Sequence, residues 1–448
     1  MARENKFFRA VILLAGGTAG AQLILVLALP VVTRLYSPEQ FSDLSAFIAI
    51  SGIFSTAACL RLDLAIPLPK RDSESIHLLF LSIIFSIATS SLILFIILII
   101  PEHLLSRVLP SVIYNYAWIL PLGVFLSSTY NALQYWATRK KLFSVIARTK
   151  FEQSLAAVST QIGAGYFIQT PIILILGQIL HSSTGIFRLA KAFTQLDIKH
   201  LAYISPRSLF ITLRKYKNFP KYSTIESLAN TAGIQLPFIL ISTALAGPEA
   251  GYLMLASRIL QSPLSLLGSA ISQVYLTHAP QAHREGNLSS LTYKTLVNLM
   301  KVGIGPIIFA GTLSPFLFPY IFGKDWSRAG VLAAWITPWV ALQFISSPIS
   351  MIGHVLNRQK LMLLLTIFGF SIRAGGVFYF SYGLKSSLAS EYYAVSGFIF
   401  YLTCTLVFTR CAGIPIIKIF SALTESAYYI GFWILSACFG IYILKWIS

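Results

Sequence analysis

Apolar blocks of about 20 residues or more recur along this whole chain, and they leave few folds open to it. At about 1.5 Å of rise per helical residue, each block can cross a hydrocarbon core of about 30 Å. The alternating ten-residue pattern of outer-membrane barrels is absent. Of 448 residues, 56% are hydrophobic and 11% charged, where a soluble domain would carry roughly a quarter charged residues. The expected fold class is an all-α polytopic membrane protein. Twelve spans are expected between residues 9 and 412, with a thirteenth apolar segment near 424–447 that either spans or lies at the interface. Arg3, Lys6 and Arg9 precede an apolar run too long for a signal peptide, so that run is expected to be the first span.

The formal charge of +19 does not indicate a nucleic-acid partner. Lys and Arg concentrate at alternate helix ends, among them Lys70 and Arg71, Arg139 to Lys141, the 188–221 stretch, Arg284, Lys294, Arg358 and Lys360. With a cytoplasmic N-terminus these positions all fall inside, as the positive-inside rule requires. Cys59, Cys404, Cys411 and Cys438 lack metal-type spacing and read as small core residues. No glycine-rich nucleotide loop and no paired acids in a cytoplasmic loop are present, so neither a cofactor nor a metal is expected.

The basic stretch around 196–222, with Pro206 and Pro220, is the expected cytoplasmic linker between two six-helix lobes, 1–195 and 223–413. Residues 414–448 form an additional apolar segment. A faint internal echo supports duplication: Pro30 precedes Ser37-Pro38-Glu39, and Pro237 precedes Gly247-Pro248-Glu249. Equal halves with even span numbers have the orientation of parallel repeats.

Polar residues within the spans are the candidate functional groups. From Tyr252 to Tyr275, Arg258, Gln261, Ser262, Ser265, Ser269, Ser272 and Gln273 recur at steps of three and four and share one helical face. A cation at mid-membrane costs about 2.5–3.5 kcal/mol on insertion scales, so that face should meet water or protein. Span five carries Arg148, Lys150, Glu152 and Gln153, with Arg148 and Glu152 spaced to pair at i and i+4. A helix end projecting into the cytoplasm explains Lys150 equally well. Span seven offers Glu226, Asn230 and Gln235, span four Ser128, Asn131 and Gln134, and span ten Gln343, Ser347, Ser350 and His354. Arg373 lies in the outer half of span eleven among Gly369, Gly375 and Gly376. Arg61 and Asp63 near the end of span two need only snorkelling or a local pair. Trp118, Trp136, Trp326, Trp335 and Trp339 read as interface-belt residues, and Gly16, Gly17 and Gly20 as a close-packing face. Deep acids are fewer than deep cations, which suits an anionic cargo with phosphate chemistry.

Several stretches resemble the polysaccharide repeat-unit (O-antigen, Wzx-type) flippases of the multidrug/oligosaccharidyl-lipid/polysaccharide exporter superfamily. They are Leu29-Pro30 with Thr33 to Phe41, Arg61 to Pro69, Gly251 to Arg258 followed by Pro263 to Gly268 and Gln273-Val274, and Phe322 to Trp326 with Ala329-Gly330. Ser42 departs from the pattern, which often has Gly there. The resemblance implies two six-helix lobes in a V around a central cationic cavity, with alternating access. The implied cargo is an undecaprenyl-pyrophosphate-linked oligosaccharide, moved from the inner to the outer leaflet. Implied partners are this lipid-linked oligosaccharide, membrane lipids, a polymerase and other polysaccharide-assembly proteins.

The resemblance implies a cavity role for Arg258. Gln261, Arg148, Lys150, Arg373 and Asn230 join it as substrate-binding candidates on depth and face, with Glu226 and Glu152 as candidate ion-coupling acids. Rival readings are a multidrug or organic-ion antiporter, which would more often show a buried acid, and a polymerase or ligase, which needs a large outer loop. A scaffolding protein, the third rival, has no need of polar faces in both halves. The chain is thus expected not to be an enzyme.

Overall fold

A computed structural model describes residues 2–101, 116–199, 204–245, 247–356 and 358–447. Among the described residues it contains helices and no strand. Ten helical stretches are long and apolar enough to cross a membrane. The chain forms two compact units, residues 1–246 and 247–448.

The N-terminal unit contains α1 (Ala2–Leu35), α2 (Pro38–Ala58), α3 (Asp72–Ile99), α4 (Ile119–Arg139), α5 (Phe143–Ser159), α6 (Pro171–Ser183), α7 (Ile186–Asp197), α8 (Pro206–Lys215) and α9 (Thr224–Leu245). Local chemistry sets several of these ends. Ser37 caps α2 in a capping box with Gln40, and Pro38 at the first helical position has no N–H to leave unbonded. Gly185 takes φ +101° between α6 and α7, where an added Cβ would lie 2.6 Å from the Thr149 side chain. Of the glycines expected to pack closely in span one, Gly17 does so, with its missing Cβ directed at Ala147 on α5. Helix α5 runs on into a wide π-turn at Thr160–Ala164.

The exposed apolar residues of this unit, such as Leu27, Leu92, Phe95 and Leu98, form an outer surface that lipid would cover. At the end of α4, Arg139 and Lys140 both bond Asp72 at 2.8 Å, and Lys140 reaches Asp197 at 2.9 Å. Trp136 completes this staple by donating to Asp197 at 2.9 Å. Burial lowers the Lys140 pKa, but its two carboxylate bonds outweigh that and hold it above the usual lysine value. The two helices α2 and α9 pack along their lengths through small polar contacts. Ser42 meets Ser242, Thr56 meets Thr231, and Arg61 Nε donates to Ser227 at 2.8 Å. Arg61 therefore binds across to α9, beyond the snorkelling or local pairing that its position suggested.

The C-terminal unit contains α10 (Glu249–Arg284), α11 (Leu288–Leu299), α12 (Gly305–Phe322), α13 (Ser327–Ile349), α14 (Gln359–Phe370), α15 (Ala389–Cys411) and α16 (Ile416–Ile447). Gly323 turns at φ +110°, and Trp326 is buried after it against the Tyr252 ring at 6.0 Å. Arg328 ties three helix starts together, bonding Glu249 at 2.9 Å and Glu391 at 2.6 Å. Helix α16 covers the thirteenth apolar segment and lies along α12, with Trp433 edge-on to Phe309 and against Gly305. It is one of the ten stretches able to span. Trp118 and Trp335 are exposed, as interface-belt residues would be. Trp136, Trp326 and Trp339 are core residues instead: Trp136 has an acid partner, and Trp339 packs between Tyr393 and Tyr401.

Candidate functional site

Helices α4 and α5 are absent from the ten apolar stretches because polar residues interrupt them: Ser128, Asn131 and Gln134 on α4, and Arg148, Lys150, Glu152 and Gln153 on α5. The structure folds part of this polarity inward. A cavity of about 340 Å³ opens between α1, α4, α5 and α6, lined by Lys150, Gln153 and Ser154 with Ser127, Tyr130, Asn131 and His181. Lys150 Nζ sits 4.8 Å from the centre of the Tyr130 ring, a cation–π distance. Lys150 thus lines a cavity enclosed by four helices. Sequence reading had already marked Asn131 and Gln153. It missed Tyr130 and His181, which lie on separate helices and carry no shared spacing.

The other candidates have different surroundings. Glu152 does not pair with Arg148 as the i, i+4 spacing suggested. It is taken by Arg188 of α7, whose Nε donates at 3.1 Å and whose Nη2 also bonds it. Arg148 is exposed and lines an open groove with Glu152 and Arg188. Glu226 and Asn230 are exposed on α9.

In the C-terminal unit, Arg258 and Gln261 are half-buried on α10, and no carboxylate pairs with Arg258 among the described residues. Ser262 turns its hydroxyl back to the Arg258 carbonyl at 2.6 Å. Ser265, Ser269 and Gln273 of the same stripe, and His354, lie outside the described side chains. Arg373 is in a π-turn at Ser371–Gly375 and only 4% exposed. Its Nε donates to the Gly369 carbonyl at 3.0 Å, and its guanidinium stacks 4.4 Å from the Phe400 ring centre. These contacts pack Arg373 between two helices.

Ion pairs join Asp72 and Asp197 to Lys140, Glu74 to Lys215, Glu152 to Arg188, and Glu249 and Glu391 to Arg328, while Asp63 is buried with one carboxylate oxygen unbonded. Lys150 and Arg258 are left without such partners. Among the described residues no group of three or more His, Cys, Asp or Glu converges to hold a metal.

A helical chain with ten stretches long and apolar enough to cross a membrane defines the class as a multi-pass membrane protein. Its fold matches solved members of the multidrug/oligosaccharidyl-lipid/polysaccharide exporter superfamily. One match is the lipid II flippase MurJ in an inward closed conformation: 16% identity, 97% of this chain and 98% of that chain covered, TM-score 0.62. Another is an inward-facing multidrug resistance MATE family transporter: 14% identity, 92% and 96% covered, TM-score 0.61. A third is a superfamily transporter from Pyrococcus furiosus described as having reversed polarity of its binding pocket: 14% identity, 90% and 95% covered, TM-score 0.58. The sequence profile described as "Polysaccharide biosynthesis protein" matches residues 20–330, and the chain belongs to that family. No curated protein matches at a significant level.

Proposed function

We propose that this protein is a flippase for an undecaprenyl-pyrophosphate-linked oligosaccharide, a repeat unit of O-antigen, capsule or exopolysaccharide. It moves the unit from the inner to the outer leaflet of the bacterial inner membrane, with its N-terminus cytoplasmic. The observation that carries this reading is the pairing of charge: Lys150, beside the Tyr130 ring in a polar cavity, and Arg258 have no carboxylate partner among the described residues, while Glu152, the acid nearest Lys150 on its helix, is taken by Arg188. Membership of a polysaccharide biosynthesis family supports a glycan-bearing cargo, and the likeness to a lipid II flippase supports a lipid-linked one.

In this mechanism Arg258 grips the pyrophosphate, since a guanidinium offers planar donors and a permanent charge. Gln261 and the serine stripe hydrate the sugars, and the prenyl tail stays in lipid. The lobes 1–195 and 223–413 alternate access by rocking. An anionic cargo moving outward is favoured by an inside-negative potential. An organic-cation antiporter, by contrast, would place a carboxylate in the interior cavity, and no carboxylate lines the one around Lys150.

The test is Arg258→Ala and Arg258→Lys in cells that depend on this chain for surface polysaccharide. Arg258→Ala is expected to insert normally and to lower surface polymer by about tenfold or more, the loss of one charge-assisted contact of about 1.5–3 kcal/mol. Arg258→Lys should retain partial activity if charge alone matters and little if bidentate geometry does. Normal surface polymer with Arg258→Ala at low expression contradicts the role.

A further inference from the structure

Between Asp197 and Glu226 the chain holds six Lys and Arg residues and no acid. Helix α8 (Pro206–Lys215) lies in this segment, in neither of the flanking apolar stretches, Pro171–Asp197 and Phe219–Leu245. A capping box of Ser205 and Ser208, with Pro206 at the first helical position, sets its start. One face of α8 is docked on α3. The Ser208 and Thr212 hydroxyls lie 3.4 and 3.3 Å from the two ring nitrogens of His77, and Lys215 pairs with Glu74. Leu209, Leu213 and Tyr216 pack on the core that holds Leu78 and Trp136.

The opposite face has no such cover. Arg207, Phe210, Ile211 and Arg214 follow at i, i+3, i+4 and i+7, so they form one stripe turned away from α3. All four are exposed, Phe210 at 64% and Ile211 at 58%. No ion pair among the described residues involves either arginine. Arg207 stands in the first turn, where a cation opposes the helix dipole, so the stability of the helix does not account for it.

We infer that this stripe is a docking surface for anionic phospholipids of the cytoplasmic leaflet. Phe210 and Ile211 enter the boundary of the acyl chains, and Arg207 and Arg214 bind phosphate groups on either side of them. Long basic side chains flanking an apolar patch reach headgroups while their stems stay among acyl chains. The single sign of charge along 198–225 complements an anionic leaflet surface, and the planar guanidinium matches phosphate oxygens. The contact ties the linker between the lobes to the plane of the membrane. The inference rests on the proposed function only for its orientation, with this linker cytoplasmic, and it concerns residues that take no part in cargo binding there.

The experiment is thermal unfolding of the purified full chain in detergent micelles, titrated with phosphatidylglycerol, phosphatidylcholine or soluble glycerol phosphate. Phosphatidylglycerol is expected to raise the midpoint saturably. Phosphatidylcholine should raise it far less, and glycerol phosphate, which offers Phe210 and Ile211 no acyl chain, should not raise it at the same concentrations. Arg207→Gln combined with Arg214→Gln should keep the lipid-free midpoint and raise the half-saturating concentration of phosphatidylglycerol about tenfold or more. The two Arg→Lys replacements should largely keep the response, and Phe210→Ser should weaken it severalfold. Arg258→Ala should leave the response intact, so this result stands or falls separately from the flippase assay. In cells, a photoreactive benzophenone side chain at position 210 should cross-link to phospholipid. Cross-linking only to another protein, equal shifts with the two phospholipids, or an unchanged phosphatidylglycerol response in the double glutamine variant would each overturn the inference.

Discussion

Lys150 in the N-terminal unit and Arg373 in the C-terminal unit are both interior cations with no acid beside them, and they are housed in opposite ways. Arg373 has its needs met by the protein: a carbonyl accepts from Nε, a phenyl ring covers the guanidinium, and Gly369 leaves room for it. Lys150 instead lines a polar cavity, over the Tyr130 ring. A deep cation in a membrane helix therefore does not mark a binding site by itself. The first arrangement serves stability, and the second keeps an interaction in reserve for a ligand.

The sharpest way to break this contrast is substitution at Arg373. Arg373→Ala removes a packed side chain from between α14 and α15 and should destabilise by about 2–4 kcal/mol, with low folded yield and a lower unfolding midpoint. A midpoint equal to that of the unsubstituted protein would remove its packing role. Next comes Lys150→Met, which deletes an unpaired interior charge. It should leave the midpoint unchanged or raise it while lowering transport about tenfold, a loss of about 1.4 kcal/mol in transition-state or ligand stabilisation. Parallel falls in stability and transport would make Lys150 a second Arg373.

Gly369→Ala offers a smaller structural probe, since its Cβ would lie 2.5 Å from Phe400 and 2.9 Å from Arg373. It should destabilise by about 1–3 kcal/mol, read as a lower unfolding midpoint. Arg188→Ala should matter least. Its partnership with Glu152 is at the surface, with the arginine side chain 44% exposed, and such pairs contribute about 0–1 kcal/mol.

Much of the fold was legible in the sequence because membrane helices announce themselves by length and apolarity. The start of α2 was marked by Ser37-Pro38, and the apolar run of α16 by its composition. The site was legible only in part. Spacing along one helix brought Arg148 and Glu152 together, but Glu152 is claimed by Arg188, 36 residues away, on a helix that folds back. Trp136 has belt-type chemistry, yet Asp197 waits for its indole N–H in the core. Gly369 and Phe400 convert Arg373 from a candidate ligand group into packing. In each case the deciding partner comes from another helix, and periodicity carries no information about which helices will meet. Lys150 and Gln153 were visible as polar residues, but their cavity needed α1, α4 and α6 to enclose it.

The central claim is that unpaired interior cations receive an anionic lipid headgroup, and leaflet transfer measures it most directly. The full chain reconstituted in liposomes with a fluorescent undecaprenyl-pyrophosphate oligosaccharide should move the lipid between leaflets. Arg258→Ala should slow that movement about tenfold or more, with Arg258→Lys falling between. Transfer by Arg258→Ala at the unsubstituted rate, or equal transfer of an uncharged prenyl glycolipid, would contradict the account.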